Sequence, residues 1–170
     1  MKIRRGALVM GFFPNARGYA FAVFEGPLSP VDWGISEMSG SERTQARLRR
    51  LSKVLDRNAP DVLVLRGAPP NERLRQLCKA AAALAKSRGI VTFRVSREQV
   101  REAFAYVGSP TRYAIAEAIA KDIQTFAPLL PRPRKIWNGE DRRMGLFDAA
   151  ALALALIHAQ GGASTAADIS

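Results

Sequence analysis

The stretch G11-FFPNARGYAFAVFEGP-27 decides how the chain is read. An apolar run ends at Phe12-Phe13-Pro14, a small basic loop follows at Asn15, Ala16, Arg17 and Gly18, and an apolar run returns from Tyr19 to Glu25. Turn residues between two apolar runs rich in aromatic and β-branched side chains predict two antiparallel strands. The first is expected over Ala7 to Phe12, the second over Tyr19 to Glu25. A third, Val31 to Ile35, follows the turn GPLSP and completes a meander. The tip of a strand is a common place for a charged working residue, and here it is Phe13.

Beyond the meander the hydrophobic period changes. Leu48, Leu51 and Leu55 share one face of a helix expected from about Ser41 to Asn58, with Arg43, Arg47, Arg50, Lys53 and Arg57 on the opposite, solvated face. Pro60 ends that helix. Asp61 to Arg66 is almost uniformly apolar, as in a strand covered on both faces. Helix over Asn71 to Arg88, strand over Ile90 to Val95, and a short helix to Phe104 opened by a Ser96–Gln99 capping box come next. An amphipathic helix is expected over Arg112 to Phe126, and a last helix over about Leu146 to Gln160, with residues 161–170 as a flexible tail. Three strands followed by alternating helix and strand predict a single α/β domain over residues 1–160, its sheet antiparallel at first and parallel afterwards, flanked by helices.

Composition narrows the function. In 170 residues, 48% are hydrophobic, enough for one core. Lys and Arg outnumber Asp and Glu by 26 to 15, a net charge of +11 that favours polyanions, above all nucleic acid. Cys78 is the single cysteine, which excludes an internal disulfide and a cysteine-based zinc site, and it reads as a small core residue. His158, the single histidine, lies in an Ala/Leu helix with no nucleophile arrangement near it. The basic, then apolar start MKIRRGALVMGFF breaks at Pro14 without a cleavage site and reads as a strand. No continuous apolar run reaches the roughly 18 residues of a membrane span. A soluble, cytoplasmic protein with no membrane partner is the expectation.

In this order of elements the tip of the first strand and that of Asp61 to Arg66 stand side by side, with the last helix crossing near them. Two-metal phosphodiester hydrolysis places carboxylates from separate elements at such a point, because hard Mg²⁺ takes oxygen ligands. The two tips offer Phe13 and Arg66. The chain nevertheless resembles the RuvC-type Holliday junction resolvases of the ribonuclease H-like superfamily, and most closely an uncharacterised bacterial branch. The resemblance rests on FPNARGYAFAVFEGP with VDWG, on PDVLVLRG, SRGIVTFRVSREQVREAF and GSPTRYAIAEAIA, and on RKIWNGEDRRMGLFDAAALALAL, in the family's order over nearly the whole chain.

That resemblance implies a ribonuclease H-like mixed sheet and, in active members, Mg²⁺-dependent cleavage of branched DNA by a dimer. The family's first carboxylate falls on Phe13 and its second on Arg66. The Asp opening the last helix is present as Asp148, a further Asp falls on Ala151, and the Glu-Asp pair before the helix of one branch is matched by Glu140 and Asp141. Phe13 alone is compatible with a core aromatic. Together with Arg66 it points to a lost or impaired cleavage site, with no cofactor expected.

Arg66 has two readings: it pairs with Asp148 while presenting donors to a phosphate, or it only relieves the burial of that acid. Arg17, Ser109, Thr111 and Arg112 are candidate phosphate contacts or ordinary turn and capping residues. Arg132, Arg134 and Lys135 form a basic loop. Trp33, Trp137 and Tyr113 can stack on bases or sit in the core, and Arg142 and Arg143 can contact DNA or pair with Glu140 and Asp141. The leading expectation is a nucleic-acid-binding protein, for branched or duplex DNA, and the resemblance adds a homodimer. The first alternative is an active Mg²⁺- or Mn²⁺-dependent endonuclease with rearranged ligands, Asp148, Glu140 and Asp141 with Glu25 or Asp32. The second is a scaffold for protein or RNA.

Overall fold

A computed structural model describes residues 2–37, 43–135 and 139–168. Strands β1 (Val9–Pro14), β2 (Gly18–Phe24) and β3 (Pro30–Glu37) form the expected antiparallel meander, and β4 (Val62–Arg66) and β5 (Val91–Val95) extend it in parallel, in the order β3-β2-β1-β4-β5. Helices α1 (Arg43–Asn58) and α2 (Glu72–Ser87) cover one face. Helices α3 (Arg97–Ala103), α4 (Arg112–Asp122) and α5 (Arg143–Asp168) cover the other.

The alternation of side chains along the strands explains the two layers. Met10 and Phe12 of β1, Tyr19, Phe21 and Val23 of β2, and Leu63 and Leu65 of β4 pack on Leu51, Val54 and Leu55 of α1 and on Leu77 and Ala81 of α2. Val9, Ala20, Ala22, Phe24, Val62 and Val64 pack on α4 and α5. Phe13 and Arg66 continue the α5-facing series at the strand ends.

Several boundaries and roles differ from expectation. α4 stops at Asp122 instead of Phe126, because Ile123 turns extended (φ −120°, ψ 95°) and Phe126 drops into an aromatic cluster with Phe24, Trp33 and Phe147. A 3-10 stretch, Gln124–Leu129, carries Pro128, which an α-helix would not accommodate. Arg47 is not on a solvated face: it is 1% exposed, and its Nη2 donates to the Ala16 carbonyl at 3.4 Å. Arg50 reaches Ser36 Oγ at 3.2 Å and Arg57 holds Asp32 at 2.7 Å, so the basic side of α1 clamps onto the meander. The α5 helix runs past Gln160 to Asp168, since Gly161 and Gly162 weaken a helix without forbidding it. By length and mean hydropathy its Arg143–Gly161 stretch could span a bilayer, although Asp148 and His158 interrupt its apolar run, and 67% of that stretch is buried within the domain, as in a core helix.

α5 begins on Asp141, whose carboxylate accepts from the Arg143 backbone N–H at 2.9 Å and from the Arg143 guanidinium at 2.8 Å. The helix then passes β1 so closely that a Cβ built on Gly11 would stand 1.9 Å from the Ala149 carbonyl oxygen.

Two expectations follow. Gly11→Ala forces helix and sheet apart and lowers stability by about 2–3 kcal/mol in urea unfolding. The Arg143 hydrogen bonds and charge hold the Asp141 carboxyl down at about 2. A depressed carboxyl stabilises the fold above its unfolded value, and that contribution fades as pH falls from about 4 toward about 2. The stability difference between the wild type and Asp141→Asn, measured by urea unfolding across pH, shrinks over that window.

Candidate nucleic-acid interface

The ends of β1, β4 and β5 open into a cleft of about 1030 Å³. Parallel pairing of Phe12 with Leu65 sets Phe13 beside Arg66, and pairing of Arg66 with Val95 brings up the start of α3. The tip adjacency expected from the sequence is therefore present. The Arg66 guanidinium carbon lies 4.6 Å from the centroid of the Phe13 ring, a cation–π stack at the cleft floor.

Asp148, in the second turn of α5, lines the same cleft with only 13% of its side chain exposed. Its partner is Arg112 instead of Arg66. Arg112 Nε donates to both carboxylate oxygens, at 2.9 and 3.0 Å, its Nη2 donates to Oδ2, and its Nη1 pairs with Glu140. A planar guanidinium reaching in from the first turn of α4 can serve two carboxylates at once. Arg66, packed on Phe13, contributes to Asp148 only through its charge.

Burial pushes the Asp148 carboxyl above the usual range, against the hydrogen bonds and charge of Arg112, while Glu140 adds to the rise. Burial alone would lower the Arg112 value, but its bonds to Asp148 and Glu140 outweigh that and hold the guanidinium firmly charged. The N–H donors of Arg112 on both oxygens favour the carboxylate form against that burial. Burial lowers Arg66 below the ordinary arginine value, and the nearby Asp148 charge works against that shift. Among the described residues no group of three His, Cys, Asp or Glu side chains is placed to hold a metal ion.

The remaining candidates divide by place. Glu140 and Asp141 reach the cleft, the first held by Arg112 and the second by Arg143. Ala151 lines it where the resemblance has an acid. Arg142 approaches Glu37 at 3.8 Å on another wall. Arg17 lines the cleft from the β1–β2 turn, with Asn15 Oδ1 accepting from its backbone N–H at 2.9 Å.

Ser109 and Thr111 are turn and capping groups. Thr111 N–H donates to the Ser109 carbonyl at 2.8 Å, and Thr111 Oγ1 accepts from Ala114 N–H at 3.1 Å to cap α4. Arg132, Arg134 and Lys135 are exposed and are not among the described lining residues, and Trp137 lies outside the described residues. Trp33 packs edge-on to Phe126 at 5.1 Å, and Tyr113 donates to the Pro131 carbonyl at 2.7 Å, so both serve structure.

Two rearranged-ligand candidates are out of reach. Asp32 is held on β3 by Asn58 and Arg57, whose hydrogen bonds outweigh burial and keep its carboxyl below the usual range. Glu25 follows the far end of β2. Conversely, Arg97 and Arg101 line the cleft and carried no weight in the sequence reading. Their spacing of four on a helix opened directly after β5 was the available signal.

No protein-family model matches the chain, and no curated protein is significantly similar to it in sequence. Solved structures are similar in fold. Thermus thermophilus RuvC aligns with TM-score 0.66 and 21% identity over 91% of this chain and 96% of that one. The same organism's RuvC in complex with a Holliday junction substrate gives 0.62 and 19%, over 92% and 96%. Fowlpox virus resolvase with its Holliday junction DNA gives 0.51 and 12%, over 89% and 97%. The five-stranded mixed sheet and its flanking helices have the ribonuclease H-like fold of these resolvases.

Proposed function

We propose that this chain is a resolvase-like nucleic-acid-binding protein, for branched or duplex DNA, whose metal-dependent cleavage has been lost. One observation carries the reading: the Arg112 guanidinium occupies the bonding positions between Asp148 and Glu140 where a divalent cation would need those oxygens. The donor set does not suit Mg²⁺ or Mn²⁺. Asp148 and Glu140 are committed to Arg112 and Asp141 to Arg143, and the strand tips supply an aromatic ring and a cation. Arg112 is then a resident counter-ion for a buried carboxylate, and phosphate contacts fall to the other arginines of the cleft. The charge of +11 and the junction DNA bound by the structural neighbours support a DNA ligand.

A labelled four-way junction and a matched linear duplex, each with Mn²⁺ or EDTA, test this reading. The expected outcome is binding that weakens steeply as salt rises, because phosphate contacts release counterions, with no metal-dependent cut. A cut abolished by Asp148→Asn overturns it in favour of a nuclease. A flat salt response favours a scaffold.

The counter-ion role has its own expected outcome. Arg112→Ala leaves Asp148 without its partner and lowers stability by about 1–3 kcal/mol in urea unfolding, less than for a fully buried pair because the guanidinium reaches solvent. Adding Asp148→Asn to that variant recovers part of the loss.

A further inference from the structure

The floor and walls of the cleft differ in chemistry. The floor is the Phe13 ring with the Arg66 guanidinium stacked on it, both half-buried at the strand ends. One wall carries Arg17 and another carries Arg97 and Arg101, all three exposed. Among the described residues, none of these four arginines has a carboxylate within ion-pair distance, whereas Arg112 has two and Arg142 and Arg143 one each. Glu98 also lines the cleft, leaving the unpaired guanidiniums in excess over it.

Phosphate contacts alone need no aromatic floor. A paired base, enclosed in its duplex, cannot reach the bottom of such a cleft, while an unpaired base presents a π-face that stacks on aromatic rings and guanidinium planes whatever its identity. We infer that the cleft holds an unpaired nucleotide, its base stacked on the Phe13–Arg66 platform and its flanking phosphates met by Arg17, Arg97 and Arg101. This rests on the nucleic-acid-binding reading above and names the feature of the nucleic acid that the cleft selects: an exposed single-stranded nucleotide within or beside branched DNA.

The test uses a short single-stranded oligonucleotide containing 2-aminopurine and a fully paired duplex of the same sequence, followed by anisotropy and by 2-aminopurine emission. The full chain binds the single strand more tightly than the duplex and quenches the probe. Phe13→Leu, which keeps an apolar side chain at the strand end, abolishes the quench and weakens single-strand binding about tenfold. Phe13→Tyr retains both. The exposed pair Arg97→Gln with Arg101→Gln leaves the quench in place and reduces the single-strand salt slope by about 1.4. Equal affinity for the two forms, with no effect of Phe13→Leu on binding or emission, overturns the platform and leaves the nucleic-acid-binding reading intact. Failure of the wild type to bind any of these DNAs, the four-way junction included, overturns both.

Discussion

The approach of α5 to β1 at Gly11 is the constraint on which the site depends. With hydrogen in place of a side chain, the helix backbone rests on the strand, and a Cβ there would collide with the Ala149 carbonyl. Asp148 is the residue immediately before that contact, so its depth and its distance from the strand tips are set by helix-on-sheet packing. On the same face Val9, Val62 and Val64 fill the space beneath the helix with Ala149, Ala150 and Ala153. Small residues along α5 allow the approach, and the approach delivers a carboxylate to the mouth of the sheet.

A carboxylate brought there must be matched. Its side chain is 13% exposed, and an isolated charge at that depth is costly. Three cations could answer it: a metal ion, Arg66 from the neighbouring strand, or Arg112 from α4. A metal ion needs further oxygens, which Phe13 and Arg66 do not supply. Arg66 finds a half-buried ring beside it and settles there. Arg112 enters from the solvent side, makes a bidentate contact with Asp148 and reaches Glu140 with its remaining amino group. It satisfies two acids at once, which explains why it, and not Arg66, holds the site.

The sequence made the frame legible because the relevant information is local. Alternation along VMGFFP, GYAFAVF and VLVLR assigns each strand two buried faces, and the turn residues between them leave few topologies. The adjacency of Phe13 and Arg66 follows from parallel pairing of those strands. The Arg112–Asp148 pair was hidden because it joins residues 36 apart through the placement of α4 on α5, which no periodicity records. Arg47 misled for a related reason. Its helical position marks it as polar-facing, yet the hairpin turn folds over it and takes its guanidinium into the interior. Asp32 is not free to serve as a ligand because α1 lies along β3 with Arg57 and Asn58 holding its carboxylate, a placement that no local pattern records.

Phe13 and Arg66 at the two strand tips have an electrostatic consequence of their own. Measured against the pattern the sequence resembles, Phe13 removes a negative charge, while Arg66 removes one and adds a positive one. In a two-metal site the ions offset both the carboxylates and the phosphate drawn in between them. Without ions, an intact set of acids would repel a nucleic acid from the deepest part of its own cleft. Here the buried acid Asp148 is paired with Arg112 and the tips are apolar and cationic, so the strand ends present no uncompensated acid. The lack of acids at the strand tips and the positive charge beside them are thus two properties of the same residues, Phe13 and Arg66.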